Sequence, residues 1–161
     1  MRLLFSAHGI PEKLVAAGDP YQEQVEATVA ALMAKLGPMD HRICYQSRVG
    51  PLKWIGPSTG AEIERAGADK RAVVLYPLAF VSEHSETLVE LDIDYRHLAT
   101  KSGVPVYRRV PTVGTHPKFI AGLADRVRAV LSGPPVAVCH GATEMPCGAQ
   151  HRGCPLIAGA V

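Results

Sequence analysis

Four carboxylates in the segment YPLAFVSEHSETLVELDIDY, residues 76–95, have the spacing to act together. Glu83, Glu86, Glu90 and Asp94 stand at i, i+3, i+7 and i+11, which on a helix is one stripe. His84 lies beside it. Such donors can strip water from a divalent cation, pass it along, or accept protons. A solvated helix face would look similar. Glu86 and Glu90, however, have no Lys or Arg four residues away, and crowded like charges repel. A cation or a shared proton would relieve them, so the acids are candidates for raised pKa values.

A second candidate is His8, which follows the short apolar run LLFSA (3–7) and precedes Gly9-Ile10-Pro11. An imidazole there can take a proton near neutral pH or bind a metal through a ring nitrogen; the plain alternative is a loop histidine bonded to backbone. Residues 46–60, QSRVGPLKWIGPSTG, add Gln46, Ser47, Arg48 and Trp54. Arg48 can grip a carboxylate and Trp54 can stack on a flat apolar ligand, or the tryptophan covers an edge of the core.

The elements that must position these groups alternate. Strands are expected at 3–7, at RICYQS (42–47), within RAVVLYPLAF (71–80) and at VPVYRRV (104–110). The first helix has Asp19 as N-cap, Pro20 at its first position, and Val25, Val29, Leu32, Met33 and Leu36 at helical spacing before Gly37-Pro38. A short helix capped by Ser58 or Thr59 runs through Ala66. The acid-striped helix continues to about residue 101, with Leu88, Leu91, Tyr95 and Leu98 on its buried side. A last helix, capped by Thr115, carries Phe119, Leu123, Val127 and Val130 on one face. This βαβαβαβα order predicts an α/β fold, a four-stranded parallel sheet flanked by helices with right-handed crossovers. In such sheets the site lies beyond the carboxyl ends of the strands. His8, the Gln46–Arg48 group and the Ser82–Glu86 group all fall there, so topology predicts one rim.

Residues 1–133 therefore read as one α/β domain, and 134–161 as a tail holding Cys139, Cys147 and Cys154 with His140 and His151. The Cys-x7-Cys-x6-Cys spacing matches no common zinc pattern, and three thiolates are one short of the usual iron–sulfur set. Cys44, in mid-strand, reads as a small buried apolar residue. The chain has 161 residues, 47% hydrophobic and 20% charged, enough for one domain with a core. A net charge of +2 gives no electrostatic case for nucleic acid. No apolar run approaches the roughly 18 residues of a membrane span. The amino terminus lacks the features of a signal peptide, so a cytoplasmic location is expected.

Taken together, LLFSAHGIP, GDPY (18–21), QSRVGPLKWIGPSTG and YPLAFVSEHSETLVELDIDY resemble the ferrochelatases in words, order and spacing over about residues 2–132. The resemblance is to the carboxyl-terminal half of that family and implies one of two Rossmann-like halves around a porphyrin cleft. It implies insertion of ferrous iron into protoporphyrin IX or a close relative in haem biosynthesis. His8 matches the family's active-site histidine and Glu86 its essential glutamate. Glu83, His84 and Glu90 fall on an acidic line that conducts metal or protons along an unusually wound helix, and Trp54 matches a tryptophan at the cleft. The implied partners are porphyrin, ferrous iron, an amino-terminal half or a second copy of the chain, and a membrane surface at the periphery. A 2Fe–2S cluster on Cys139, Cys147 and Cys154 is implied for some members. Two other readings remain: a short homodimeric chelatase for another tetrapyrrole or metal, and a non-catalytic metal- or haem-binding module.

Overall fold

The computed structural model describes residues 1–133. Along the chain it forms β1 (Arg2–His8), α1 (Glu12–Ala16), α2 (Tyr21–Leu36), β2 (His41–Gln46), α3 (Thr59–Ala68), β3 (Val73–Pro77), α4 (Ser85–Leu88), a π turn (Glu90–Asp94), α5 (Tyr95–Lys101), β4 (Tyr107–Arg109) and α6 (Pro117–Ser132). The four strands form one parallel sheet in the order β2-β1-β3-β4, as the alternating pattern predicts. β1 lies inside the sheet and is apolar on both faces, so it reads as a continuous hydrophobic run rather than an alternation.

Side-chain alternation along β1 divides the core. Leu3, Phe5 and Ala7 pack with Val25 and Val29 of α2 and with Tyr45, Ile55 and Leu78. Leu4 points to the other face, where Cys44, Ile63, Ala66, Val73, Leu75, Leu91, Ala99 and Tyr107 join α3, α5 and the π turn. Each fully buried Leu, Ile or Phe contributes about 1.5–3 kcal/mol from removal of apolar surface. At the amino-terminal end of β1, Arg2 is 5% exposed and pairs with Asp40 at 3.1 Å and Asp69 at 2.9 Å. The opposite end, where His8 pairs in register with Gln46, is left for chemistry.

Several local expectations change. Asp19 does accept from the Tyr21 N–H at 2.9 Å, but the helix proper starts at Tyr21. The last helix is capped by His116, not Thr115, because Pro117 takes the first helical position and the imidazole reaches the Lys118 N–H at 3.3 Å. Its apolar face is not buried: no residue of α6 is, and Leu123, Val127 and Val130 are 47%, 59% and 62% exposed. Leu88, expected on a buried face, is also exposed, because the helix of residues 85–101 changes pitch after Val89 and turns its side chains away from strict helical spacing. Cys44 is fully buried, and burial pushes its thiol up to about 12. The tail cysteines Cys139, Cys147 and Cys154 lie outside the described residues. No helix among the described residues is long and apolar enough to cross a membrane.

Candidate active site

Backbone pairing fixes where His8 stands. It ends β1, and the following Gly9 N–H donates to the Gln46 carbonyl at 2.8 Å. Gly9 has to be small: a Cβ there would sit 3.0 Å from both the Gln46 carbonyl and the Arg48 Cγ. The His8 ring is then oriented by its own backbone. Nδ1 lies 2.7 Å from the Gly9 carbonyl, which can only accept, so Nδ1 carries the hydrogen. Nε2 faces Glu86 Oε1 at 3.6 Å, and in the neutral ring it is the nitrogen that carries the lone pair. Both side chains are accessible, at 40% and 38% exposure.

Glu86 is held by a helix that starts through a side-chain cap. His84 Nδ1 accepts from the Glu86 N–H at 3.1 Å, and the Thr87 hydroxyl accepts from the His84 N–H at 2.9 Å. His84 is therefore committed to the helix start. Four residues on, the backbone leaves α spacing: the Asp94 N–H reaches back to the Val89 carbonyl at 3.0 Å, an i→i+5 bond.

That change of pitch splits the acids. Glu86, Glu90 and Asp94 still line one open groove of about 400 Å³ with Ser47, Arg48 and Val49. Glu90 is saturated within it. Its carboxylate accepts from the Ser47 N–H at 2.8 Å, the Ser47 hydroxyl at 2.5 Å, the Gln46 amide at 3.2 Å and the Tyr95 hydroxyl at 3.0 Å. Burial, with the neighbouring Glu90 charge, pushes the Tyr95 phenol well above its ordinary range, so it remains a donor. Ser47 holds a left-handed φ of 57°, uncommon for a residue with a Cβ, and the Glu90 clamp fixes it there.

Glu83 leaves the stripe. It precedes the helix, and its carboxylate accepts from Arg109 at 2.7 Å and from the Thr112 N–H at 2.9 Å. Burial raises its pKa, but hydrogen bonds from Thr112 and Thr87 and the Arg109 charge outweigh it and hold the group at about 2. The raised pKa expected of a crowded acid is thus reversed at Glu83, because the Thr112 N–H, the Thr87 hydroxyl and the Arg109 cation together stabilise its charged form. Arg109 also pairs with Asp92 of the π turn, tying the residues before α4 and the middle of the π turn to β4. Arg109 was missed in the sequence because its partners lie 17 and 26 positions away, beyond any helical spacing.

Among the expected ligand contacts, Trp54 and Arg48 line an adjoining groove of about 430 Å³, which Glu90 and Tyr95 also border. The Arg48 guanidinium donates to the Trp54 carbonyl at 3.5 Å, and Trp54 Nε1 is buried without a partner. Ser47 borders the first groove. Gln46 lines neither groove: its side chain is fully buried and bonded to protein groups. Among the described residues, no three His, Cys, Asp or Glu side chains are arranged to hold a metal ion. The structure thus brings His8 and Glu86 face to face, places Glu90 one turn away as an anchored acid, and directs Glu83 and His84 to other partners.

Comparison with known proteins places this arrangement in context. A family model described as ferrochelatase matches residues 1–131. A ferrochelatase of Caulobacter vibrioides is 56% identical over 161 residues, covering 99% of this chain and 46% of that protein. One from Phenylobacterium zucineum is 56% identical over 132 residues, covering 81% of this chain and 38% of that protein, and one from a Synechococcus strain is 49% identical over 151 residues, covering 89% and 38%. The chain therefore spans less than half the length of these relatives. Among solved structures, a cobalamin-biosynthesis CbiX protein of Marinobacter aquaeolei superposes with a TM-score of 0.56 at 17% identity, covering 81% of this chain and 96% of that one. It supports the fold alone.

Proposed function

The chain belongs to the ferrochelatase family, and from that premise we propose that residues 1–133 form the metal-handling wall of an enzyme that inserts ferrous iron into protoporphyrin IX or a close relative in haem biosynthesis. The observation that carries the reading is the His8–Glu86 pair, an imidazole nitrogen and a carboxylate oxygen 3.6 Å apart and both accessible, at the edge of the groove that Glu86 lines. The chemistry requires such a pair. Iron must lose water, enter the ring, and displace two pyrrole protons, so the neutral porphyrin and Fe²⁺ give the metalloporphyrin and two H⁺. His8 Nε2 accepts a pyrrole proton, and Glu86 stabilises the resulting imidazolium. Before that, the 3.6 Å gap is wide enough for one first-row divalent ion with bonds of about 2.1 Å to each group. Two donors release a metal more readily than a closed four-ligand cage, which suits an ion in transit.

Around the pair, Glu90 and Asp94 continue the groove and set its negative field. Arg48 and Trp54 offer a cation and a ring for the propionates and the flat face of the macrocycle. Glu83 and His84 act at one remove, one through Arg109 and the other through the helix start. The opposite cleft wall comes from an amino-terminal half. Residues 134–161 lie outside the described residues, and in this scheme the enzyme works in the cytoplasm. The proposal extends to a 2Fe–2S cluster on Cys139, Cys147 and Cys154, supported by three thiols in one short stretch. No reaction step is routed through it, and an anaerobic visible spectrum after iron–sulfide reconstitution tests it, a colourless protein removing it.

The deciding experiment follows porphyrin metallation by absorbance, with the chain alone and then with the amino-terminal half added. Turnover only after complementation supports a half-enzyme. Turnover by the chain alone favours a homodimer, and metal binding without turnover in either case favours a binding module. In the assembly that turns over, His8→Ala and Glu86→Gln are each expected to lower kcat by about 10²-fold or more. Near-parental turnover in either variant would end the role assignment.

A further inference from the structure

At the end of β2, Gln46 is fully buried, yet it makes three polar contacts that lead outward to the acids. Its Oε1 accepts from the Ser6 hydroxyl at 2.8 Å. Its Nε2 donates to the Glu86 carbonyl at 2.9 Å and to Glu90 Oε2 at 3.2 Å. The chain of bonds has only one polarity. A carbonyl and a carboxylate both accept, so the NH₂ end must face them. The carbonyl end then faces Ser6, which must donate. The Thr59 hydroxyl, 2.7 Å from Ser6, must in turn donate to it. Thr59 begins α3 and is itself fully buried. A directed relay thus runs from α3 through β1 and β2 to the turn that carries both acids.

We infer that Gln46 is a positioning residue for the reaction: its amide clips the Glu86 backbone to the Glu90 carboxylate and so fixes the Glu86 side chain against His8. The inference rests on the function proposed above. The helix needs such a clip. It changes pitch after Val89, one turn beyond Glu86, and α4 is a single turn of four residues, too short to hold its own geometry. The His8 side is already fixed by β1 pairing and by Gly9. Without Gln46 the Glu86 backbone would lose its one bond to the sheet, leaving the His84 cap before it and the Glu90 and Arg109 contacts beyond it. Removal of an outer-sphere partner of this kind typically lowers activity about 10- to 100-fold.

Gln46→Met and Gln46→Glu test it in the assembly that metallates a soluble porphyrin with Zn²⁺. Gln46→Met is expected to lower kcat about 10- to 100-fold, with KM for the porphyrin changed by no more than about twofold; the thermal midpoint should also fall, because Ser6 and the Glu86 carbonyl lose a buried partner, so kcat is compared well below it. Gln46→Glu, closer in shape, is expected to fall further, because it sets an acceptor against two acceptors. If Gln46 only filled space, Gln46→Met, of similar volume, would keep parental kcat, and that result overturns the inference. Another measurement needs no turnover. Amide hydrogen exchange in the 161-residue chain should quicken at residues 86–94 in Gln46→Met and hold at Leu4 and Leu75. Unchanged exchange at 86–94 overturns the clip. A parent without turnover in any assembly sinks the proposed function instead and leaves the exchange result to decide the clip.

Discussion

Replacing Glu90 by glutamine separates an anchoring role for this side chain from that of a free acid. One carboxylate oxygen accepts from the Ser47 N–H at 2.8 Å and the Tyr95 hydroxyl at 3.0 Å, the other from the Ser47 hydroxyl at 2.5 Å and the Gln46 amide at 3.2 Å. Glutamine keeps the shape but turns one acceptor into a donor. At the first oxygen's place its NH₂ meets a backbone N–H, which cannot turn round. At the other it meets the Gln46 amide, whose direction the Glu86 carbonyl fixes. Only the two hydroxyls can rotate to accept. One donor is therefore left facing a donor, and the remaining bonds lose the charge. An unpaired donor costs about 1–3 kcal/mol when buried and falls at the low end at this half-buried site, and bonds to a charged group contribute about 1.5–3 kcal/mol against about 1 for neutral ones.

The net loss is about 2–4 kcal/mol, a large share of a domain stability of about 5–15 kcal/mol. It should appear first in the segment after Ser47, whose left-handed backbone depends on those bonds. That segment carries Trp54, the chain's only tryptophan, so its emission reports the segment while far-UV circular dichroism reports the helices. In urea the parent's two transitions should coincide. In Glu90→Gln the tryptophan transition should come at lower urea, and the helix midpoint should fall by about 1–2 M for an m-value of about 1–3 kcal/mol per M. Coincident transitions within about 0.5 kcal/mol of the parent would refute the reasoning.

Other consequences are quicker to check. Gly67→Ala would put a Cβ 2.1 Å from the Ser102 carbonyl oxygen, so overpacking of about 1–3 kcal/mol should exceed the roughly 1 kcal/mol gained in helix propensity. Gly122→Ala meets nothing within 4 Å and should raise the thermal midpoint; equal effects from the two substitutions would contradict the packing of α3 on the end of α5. Cys44, buried and pushed up to about 12, should react with a thiol reagent only after unfolding, and prompt labelling of the native chain at this residue would contradict its placement. Glu83 is depressed from about 4.5 to about 2, so its contribution to stability is complete above about pH 4.5 and lost as pH falls towards 2. Comparison with Glu83→Gln should show a stability gap that closes over that window; a gap constant with pH would remove the Arg109 pairing as its cause.

Much of the site was legible because its signals are local. A buried strand that stops at His8, another that stops at Gln46 and a third that leads into acids must share one edge once all three are parallel, and register then sets His8 beside Gln46. Ser58 as a cap followed from chemistry one turn long, and its hydroxyl does accept from the Ala61 N–H at 3.1 Å. The helical period of α6 was equally visible.

What needed the tertiary structure is the fate of each polar atom. Sequence spacing treats Glu83, Glu86, Glu90 and Asp94 alike. Only packing tells that Arg109 takes Glu83, that Glu86 faces His8, and that Ser47, Gln46 and Tyr95 consume Glu90. Gln46 could be placed on the rim from sequence but not inside it, since burial depends on Ser6 and Thr59 arriving from 40 and 13 positions away. The apolar face of α6 shows the same limit: its period is a property of the helix, whereas what covers it is not. Local covalent geometry and hydrophobic period are written within a few residues of chain, but a hydrogen bond or ion pair between distant segments exists only once the sheet has brought them together.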